Sequence, residues 1–367
     1  MKKIAQSILD IAGIKIDGGN SYDIQVHNND LYKRVLAQGS LGLGESYMDG
    51  DWDCDRLDEF FYRVLTVNLQ EKVGSKKMIV SLLKAKLFNL QNKVKSLEVG
   101  KRHYDVGNKL YKKMLDKRMA YTCGYWKNVN NLDDSQEAKF ELVCKKIGLK
   151  KGMRVLDIGC GWGSFAKYAA EKYGVSIVGI TISKEQLVLG KKLCKGLPVE
   201  LRFQDYRDVK EKFDRIVSIG MFEAVGPKNY RCYMEKVANC LKEDGIFLLH
   251  TIGGDESVQR TDPWIDKYIF PNGVMPSVKQ IATASEGLFV LEDWHNFGVD
   301  YDKTIMAWHK NFNESWSSIK NNYDERFKRM WNYYLLISAG SFRARTNHLW
   351  QIVFSKNGVP DGYVSVR

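Results

Sequence analysis

No stretch of this chain holds eighteen uninterrupted apolar residues, so no segment is expected to cross a bilayer as a helix. The seven cysteines, at 54, 123, 144, 160, 194, 232 and 240, fall into no zinc-binding spacing and sit in or beside apolar runs. They read as free thiols of a reducing compartment, and no metal is implied. Internal repeats and low-complexity tracts are absent, which excludes solenoid, fibrous and disordered classes. The opening residues MKKIAQSILDIAGIKI combine two lysines with apolar residues, but Asp10 interrupts the run and no small-residue cleavage site follows. A signal peptide is therefore not expected, and a cytoplasmic protein is.

What is present is a 367-residue chain with 44% hydrophobic residues, enough for one large domain and a smaller one. Its formal net charge of +12 is unevenly spread. Residues 1–60 carry six Lys or Arg against eleven Asp or Glu, whereas residues 61–117 carry fourteen against four. The sign changes at a candidate domain boundary. Within the basic segment, KKMIVSLLKAKLFNLQNKVKSLEVG sets Leu83, Leu87, Leu90, Val94 and Leu97 at helical spacing among Lys84, Lys86, Lys93 and Lys95. Such a helix can lie on an anionic bilayer surface, or it can be an interdomain helix with a solvated lysine face. No recognition-helix, zinc-finger or RNA-binding motif accompanies the basic balance, so nucleic acid is not the expected partner.

The pattern along the chain divides in two. Short helical patterns at Lys2 to Ile11 and Leu57 to Leu69 flank GSLGLGESYMDGDWDCD, whose glycines and acids read as a tight loop in a small helical domain. From about residue 100, strands alternate with helices: RVLDI (154–158), VSIVGI (175–180), VELRF (199–203), DRIVSI (214–219) and GIFLLHTI (245–252). Alternation of this kind predicts a parallel sheet covered on both faces. The expected organisation is a small, mainly helical domain over 1–90, a linker over 91–100 and an α/β domain over 101–367.

The first chemical signature is VLDIGCGWGSFAKYAA, Val155 to Ala170. A strand ends near Asp157, glycines at 159, 161 and 163 permit a tight turn and close approach of a ligand, and a helix begins near Ser164. Glycines alone do not choose a ligand. Here the acid precedes them, no Lys-Ser/Thr ending marks a nucleoside triphosphate loop, and GxGxxG does not occur. The segment resembles the cofactor turn of class I S-adenosylmethionine-dependent methyltransferases, which implies a Rossmann-like, doubly wound, mostly parallel seven-stranded sheet. Ligands of such sheets collect at the C-terminal strand ends, where Gly159, Gly161, Thr181, Ser183, Asp205, Tyr206 and Ile219 stand. Where many such enzymes have an acid after the second strand, GITISKEQ offers the neutral Thr181 and Gln186. Asp205 in FQDYRD is a candidate partner of the adenine amino group, or a surface-turn aspartate.

A rarer pattern narrows the family. YDVGNKLYKKML (104–115), MAYTCGYW (119–126), VGITISKEQ (178–186), DYRD (205–208), SIGMFEAVG (218–226), FGVDYDKT (297–304) and AGSFRARTNHLWQIVFSK (339–356) together resemble the cyclopropane-fatty-acyl-phospholipid synthase family over nearly the whole chain. The resemblance implies S-adenosylmethionine as methyl donor, with Tyr121 and Thr122 added to the cofactor set. It also implies a bicarbonate ion as base, held by Cys123, Glu223, His250, the backbone of Ile252 and Tyr301. Thiol, imidazole, amide and phenol can donate to a buried anion, and Glu223 can accept from its hydroxyl. Cys123, Glu223, His250 and Tyr301 are thus the implied catalytic residues.

By the same resemblance, a cis double bond of a phospholipid acyl chain attacks the sulfonium methyl, and loss of a proton from that methyl closes a cyclopropane ring. Tyr121, Phe222, Phe270 and Trp308 are candidate surroundings for the cation. Relatives commonly carry a cysteine where YLLISAGSFR has Ser338, and no activating group accompanies that serine, so covalent catalysis there is not expected. The implied partners are an anionic membrane, engaged peripherally from the cytoplasm, and a second copy of the chain. Alternatives are a methyltransferase that leaves a methyl- or methylene-branched acyl chain, a small-molecule methyltransferase, which gives no reason for the basic N-terminal region, and a non-catalytic lipid-binding protein. Retention of Asp157, Glu223 and His250 speaks against the last.

Overall fold

The computed structural model describes residues 2–67 and 107–367. The basic amphipathic segment, the linker and the C-terminal end of the Leu57 to Leu69 pattern lie outside the described residues. Among those described, no helix is long and apolar enough to cross a membrane, and all seven cysteines are free thiols.

The N-terminal part is mainly helical, with helices Lys2–Leu9, Asp30–Gln38, Ser40–Met48 and Leu57–Thr66 and a two-stranded ladder of β1 (Gln25–Val26) and β2 (Trp52–Asp53). The glycine-rich stretch is not a loop: Ser40–Met48 is helical, although glycine disfavours a helix interior by about 1 kcal/mol. Tertiary packing overrides propensity here. A Cβ on Gly42 would collide with the Arg34 carbonyl oxygen, and one on Gly44 with Trp264 Cδ1. These glycines permit close helix contact rather than a turn.

The rest is built on a seven-stranded sheet of β3 (Arg154–Ile158), β4 (Ser176–Thr181), β5 (Val199–Phe203), β6 (Phe213–Ile219), β7 (Leu241–Gly253), β8 (Val290–Asn296) and β9 (His348–Ser355). Their order is β5-β4-β3-β6-β7-β9-β8. The first five are parallel, and β9 runs antiparallel between β7 and β8. Helices cover both faces, which is why β3, β4 and β6 read as almost unbroken apolar runs. This is the Rossmann-like class I methyltransferase fold, in which the strand order reverses between β3 and β6 and opens a crevice at their C-terminal ends.

One aromatic core joins the N-terminal helices to the C-terminal ones. The Tyr333 ring, on helix Glu325–Arg343, meets Tyr47, Phe61 and Trp264 at centroid distances of 5.5, 5.2 and 4.5 Å. Arg343 of the same helix bonds Asp58 at 2.8 Å and both oxygens of Asp302 at 2.9 and 3.0 Å.

Candidate active site

The turn after β3 is made by Gly159, Gly161 and Gly163, with φ of +84°, +55° and +81°. L side chains rarely adopt these angles. A Cβ on Gly159 would also collide with Met221, 2.6 Å from its Cβ. After β6, Gly220 (φ +72°) passes so close to segment 119–126 that a Cβ there would lie 2.6 Å from Thr122 Cγ2. The two strand ends and that segment enclose a cavity lined by Tyr121, Thr122, Asp157, Gly159, Gly161, Gln186 and Ile219, all expected cofactor residues, and by Lys139 and Gly220.

Thr181, Ser183, Asp205 and Tyr206 stand behind or beside this cavity rather than on its wall. Thr181 Oγ1 donates to Gln186 Oε1 at 3.1 Å and accepts from the Ser183 amide at 3.1 Å, while Ser183 Oγ caps helix Lys184–Leu193 through the Gln186 amide. They orient Gln186. Asp205 follows β5, but its carboxylate accepts from the Arg207 amide (2.9 Å) and guanidinium (3.0 Å). Tyr206 packs on Tyr233 at 5.0 Å.

Two ionisable groups of the cavity are wholly enclosed. Burial pushes the Asp157 carboxyl up to about 7, against the pull of Lys139. Burial likewise pulls the Lys139 ammonium down to about 7, opposed by Asp116, Cys123 and Asp157. Lys139 was not foreseen. It lies on the apolar stripe of helix Leu132–Lys146, where a lysine is more often a side chain reaching past the core to solvent.

Next to this cavity lies a second group of residues, drawn from β7, the turn after β6, segment 119–126 and a C-terminal helix. His250 and Ile252 are two apart on β7, on one face of the sheet, and the Gly220 amide bonds the His250 carbonyl at 2.9 Å. Glu223 follows in the short 3-10 turn Phe222–Ala224, its Oε1 accepting from the Ile252 amide at 2.6 Å. The Ile252 donor expected for an anion is therefore engaged by Glu223 in this structure. Cys123 comes from segment 119–126, which helix Val299–Ile319 holds in place: Thr304 Oγ1 accepts from the Gly124 amide (3.0 Å) and Trp126 Nε1 (2.8 Å), and Tyr301 lies one turn before Thr304 on that helix.

The polar groups of this second cluster are buried and incompletely bonded. Glu223 Oε2, His250 Nε2 and Gln351 Oε1 have no hydrogen-bond partner. Gln351 Nε2 donates to His250 Nδ1 at 3.3 Å, which leaves the proton of the neutral ring on Nε2. Burial, with Lys139 and Lys146 nearby, holds the His250 pKa well below its ordinary value. Burial raises the Glu223 carboxyl, and raises the Cys123 thiol well above the usual range. The cluster thus offers a neutral imidazole donor, a carboxyl group and a thiol. Gln351 escaped sequence reasoning because only the β7–β9 register, His250 opposite Gln351, brings it here.

Residues 91–352 match the profile of the family described as mycolic acid cyclopropane synthetase. The chain belongs to that family. The cyclopropane-fatty-acyl-phospholipid synthase of Escherichia coli strain K12 is 56% identical over 361 residues, covering 98% of this chain and 94% of the relative. A probable fatty acid methyltransferase of Pseudomonas putida is 37% identical over 69% of this chain and 68% of its own length. Among solved structures, the cyclopropane synthase MmaA2 from Mycobacterium tuberculosis superposes with a TM-score of 0.66 at 29% identity, over 71% of this chain and 98% of that one. Members of the family are S-adenosylmethionine-dependent methyltransferases.

Proposed function

We propose that this protein is a cyclopropane-fatty-acyl-phospholipid synthase, which adds a methylene derived from the methyl of S-adenosylmethionine across a cis double bond of a phospholipid acyl chain. The observation that carries the reading is the meeting of a glycine-built cofactor cavity with a buried cluster whose Glu223 Oε2 and His250 Nε2 lack partners. Buried polar atoms are rarely left unbonded, so the cluster fits a small polar ligand. A bicarbonate ion suits these atoms: its hydroxyl can donate to Glu223 Oε2 and its oxygens can accept from His250 Nε2, with Cys123 and Tyr301 as further donors and the Ile252 amide available only if it gives up Glu223 Oε1. When bound, bicarbonate supplies the base for the methyl proton, and no metal is called on.

The chain's own residues do the rest. The turn at Gly159 and Gly161 brings backbone against the methionine part of the donor, and Gln186, set by Thr181 and Ser183, is the neutral group for its ribose. Asp205, beside the cavity after β5, can reach the adenine amino group only with a lone pair not held by Arg207, and Tyr206 backs that turn by packing on Tyr233. Tyr121 packs on Trp308 at 5.1 Å and Tyr301 on Trp308 at 5.9 Å, an aromatic wall whose faces favour developing positive charge. The wall excludes water that would intercept the cation, and enclosure aligns alkene and methyl. Phe270 packs edge-on against Tyr334 at 5.9 Å, and Phe222 stacks on Tyr230 within the sheet core.

In this reading residues 1–90 engage lipid, residues 91–100 link them to the catalytic domain 101–367, and the enzyme works as a homodimer on the cytoplasmic face of an anionic membrane. The test is incubation with S-adenosylmethionine and vesicles of cis-monounsaturated phospholipid, with acyl chains analysed by mass spectrometry and proton NMR. A gain of one methylene, with vinyl protons lost and upfield ring protons gained, is expected. The likeness to a probable fatty acid methyltransferase favours one other outcome, the same mass gain with a branched or exocyclic alkene, which would replace ring closure by proton loss elsewhere.

A further inference from the structure

Helix Leu132–Lys146 buries two lysines two turns apart, and their surroundings differ. Lys146 Nζ has a charge partner, Asp293 Oδ2 at 3.5 Å, and contacts His295 Nδ1 at 3.1 Å. Lys139 Nζ donates to Thr122 Oγ1 at 2.7 Å and stands 4.1 Å from the centre of the Phe140 ring. No carboxylate among the described residues comes within ion-pairing distance of it; Asp116 and Asp157 act only from farther away. A buried ammonium with only a hydroxyl and a ring face for company is costly. The fold answers that cost at Lys146 and leaves it open at Lys139, on the wall of the cofactor cavity.

The direction of one hydrogen bond adds to this. Because Lys139 donates to Thr122 Oγ1, the threonine's own hydroxyl proton must point away from the lysine. It has no acceptor among the described residues. The ammonium and this hydroxyl therefore present donors and a positive charge to a cavity that Asp157 also lines. A cation with a donor, and a carboxyl, complement the two ends of an amino-acid zwitterion.

We propose that Lys139 and Thr122 together bind the α-carboxylate of the methionine portion of S-adenosylmethionine, a subsite that rests on the cavity being the cofactor site. Lys139 is then a binding residue that sets the donor's position along the cavity, ahead of the sulfonium.

Calorimetric titration with S-adenosylhomocysteine and with its decarboxylated analogue, S-adenosyl-3-thiopropylamine, tests this. The full-length protein should bind the analogue about ten- to a hundredfold more weakly, the loss of a charge-assisted contact. Lys139→Met should weaken S-adenosylhomocysteine by a similar factor and leave the analogue within about threefold, and Thr122→Val should show the same selectivity at smaller size. Equal affinity of the unaltered protein for both ligands overturns the proposal even if Lys139→Met fails to fold. So does equal weakening of both ligands in Thr122→Val. Failure of the unaltered protein to bind either ligand overturns the cofactor assignment itself, and the subsite with it.

Discussion

The two walls of the cleft handle polarity in opposite ways. The wall around Gln186 is closed on itself: Thr181, Ser183 and Gln186 bond one another, and the glycines at 159, 161 and 220 contribute shape and backbone. The wall around Glu223 and His250 is open, with buried polar atoms left for something else to satisfy. A wall of the first kind binds by fit and tolerates little volume change. One of the second kind depends on the charge and protonation of single groups, so isosteric substitutions should separate the two.

The largest effect is expected at the open wall. Glu223→Gln keeps volume but exchanges an acceptor for a donor at Oε2, and turnover should fall by about two orders of magnitude or more while affinity for S-adenosylhomocysteine stays unchanged. Near-normal product formation in the vesicle assay would remove Glu223 from the chemistry. At the closed wall the reverse is expected. Gly220→Val forces a β-branched side chain into φ +72° and against Thr122, so S-adenosylhomocysteine affinity should drop by about tenfold or more. Undiminished affinity by calorimetry would show that this approach does not shape the cavity.

Asp157 gives a third contrast, read through pH. Its folded-state pKa, about 7, lies above the value of an exposed aspartate, so the folded protein holds a proton that the unfolded chain releases. Its stabilising contribution is complete below the unfolded pKa of about 4 and is lost as pH rises toward 7. Asp157→Asn should remove that slope, making the ligand-free protein relatively more stable at pH 8 than at pH 5, while weakening cofactor binding. Parallel denaturation curves for the two proteins at both pH values would contradict the assignment.

The smallest effect is expected away from both walls. Gly44→Ala improves helix propensity, yet its Cβ would meet the Trp264 ring, so a loss of about 1–3 kcal/mol in denaturant midpoints is expected instead of a gain. Stabilisation would mean that the helix contact yields easily and that propensity alone governs the site.

Much of this architecture could be read before any coordinates. Five strands were legible within a few residues because parallel strands covered on both faces carry unbroken apolar runs, and the turn after β3 because glycine suits its backbone angles. β8 and β9 were not located, since Glu292, Asp293 and Gln351 interrupt their apolar character and find partners only in the folded structure, across the sheet for Glu292 and Gln351 and in the C-terminal tail for Asp293. Likewise Ser40–Met48 read as a loop because glycine signals both turns and close helix contact, and a sequence does not say which.

By itself the sequence determined the fold class, the family and the identity of the groups that carry charge or hydrogen bonds, because these follow from local patterns and motif order. Tertiary structure alone decided which of those groups remain unsatisfied. Lys139 and Lys146 are one residue type on one helix face, yet only the first lacks a carboxylate within reach. The difference lies in Asp293, whose approach depends on the long-range pairing of β8 with β9, and no spacing along the chain encodes it.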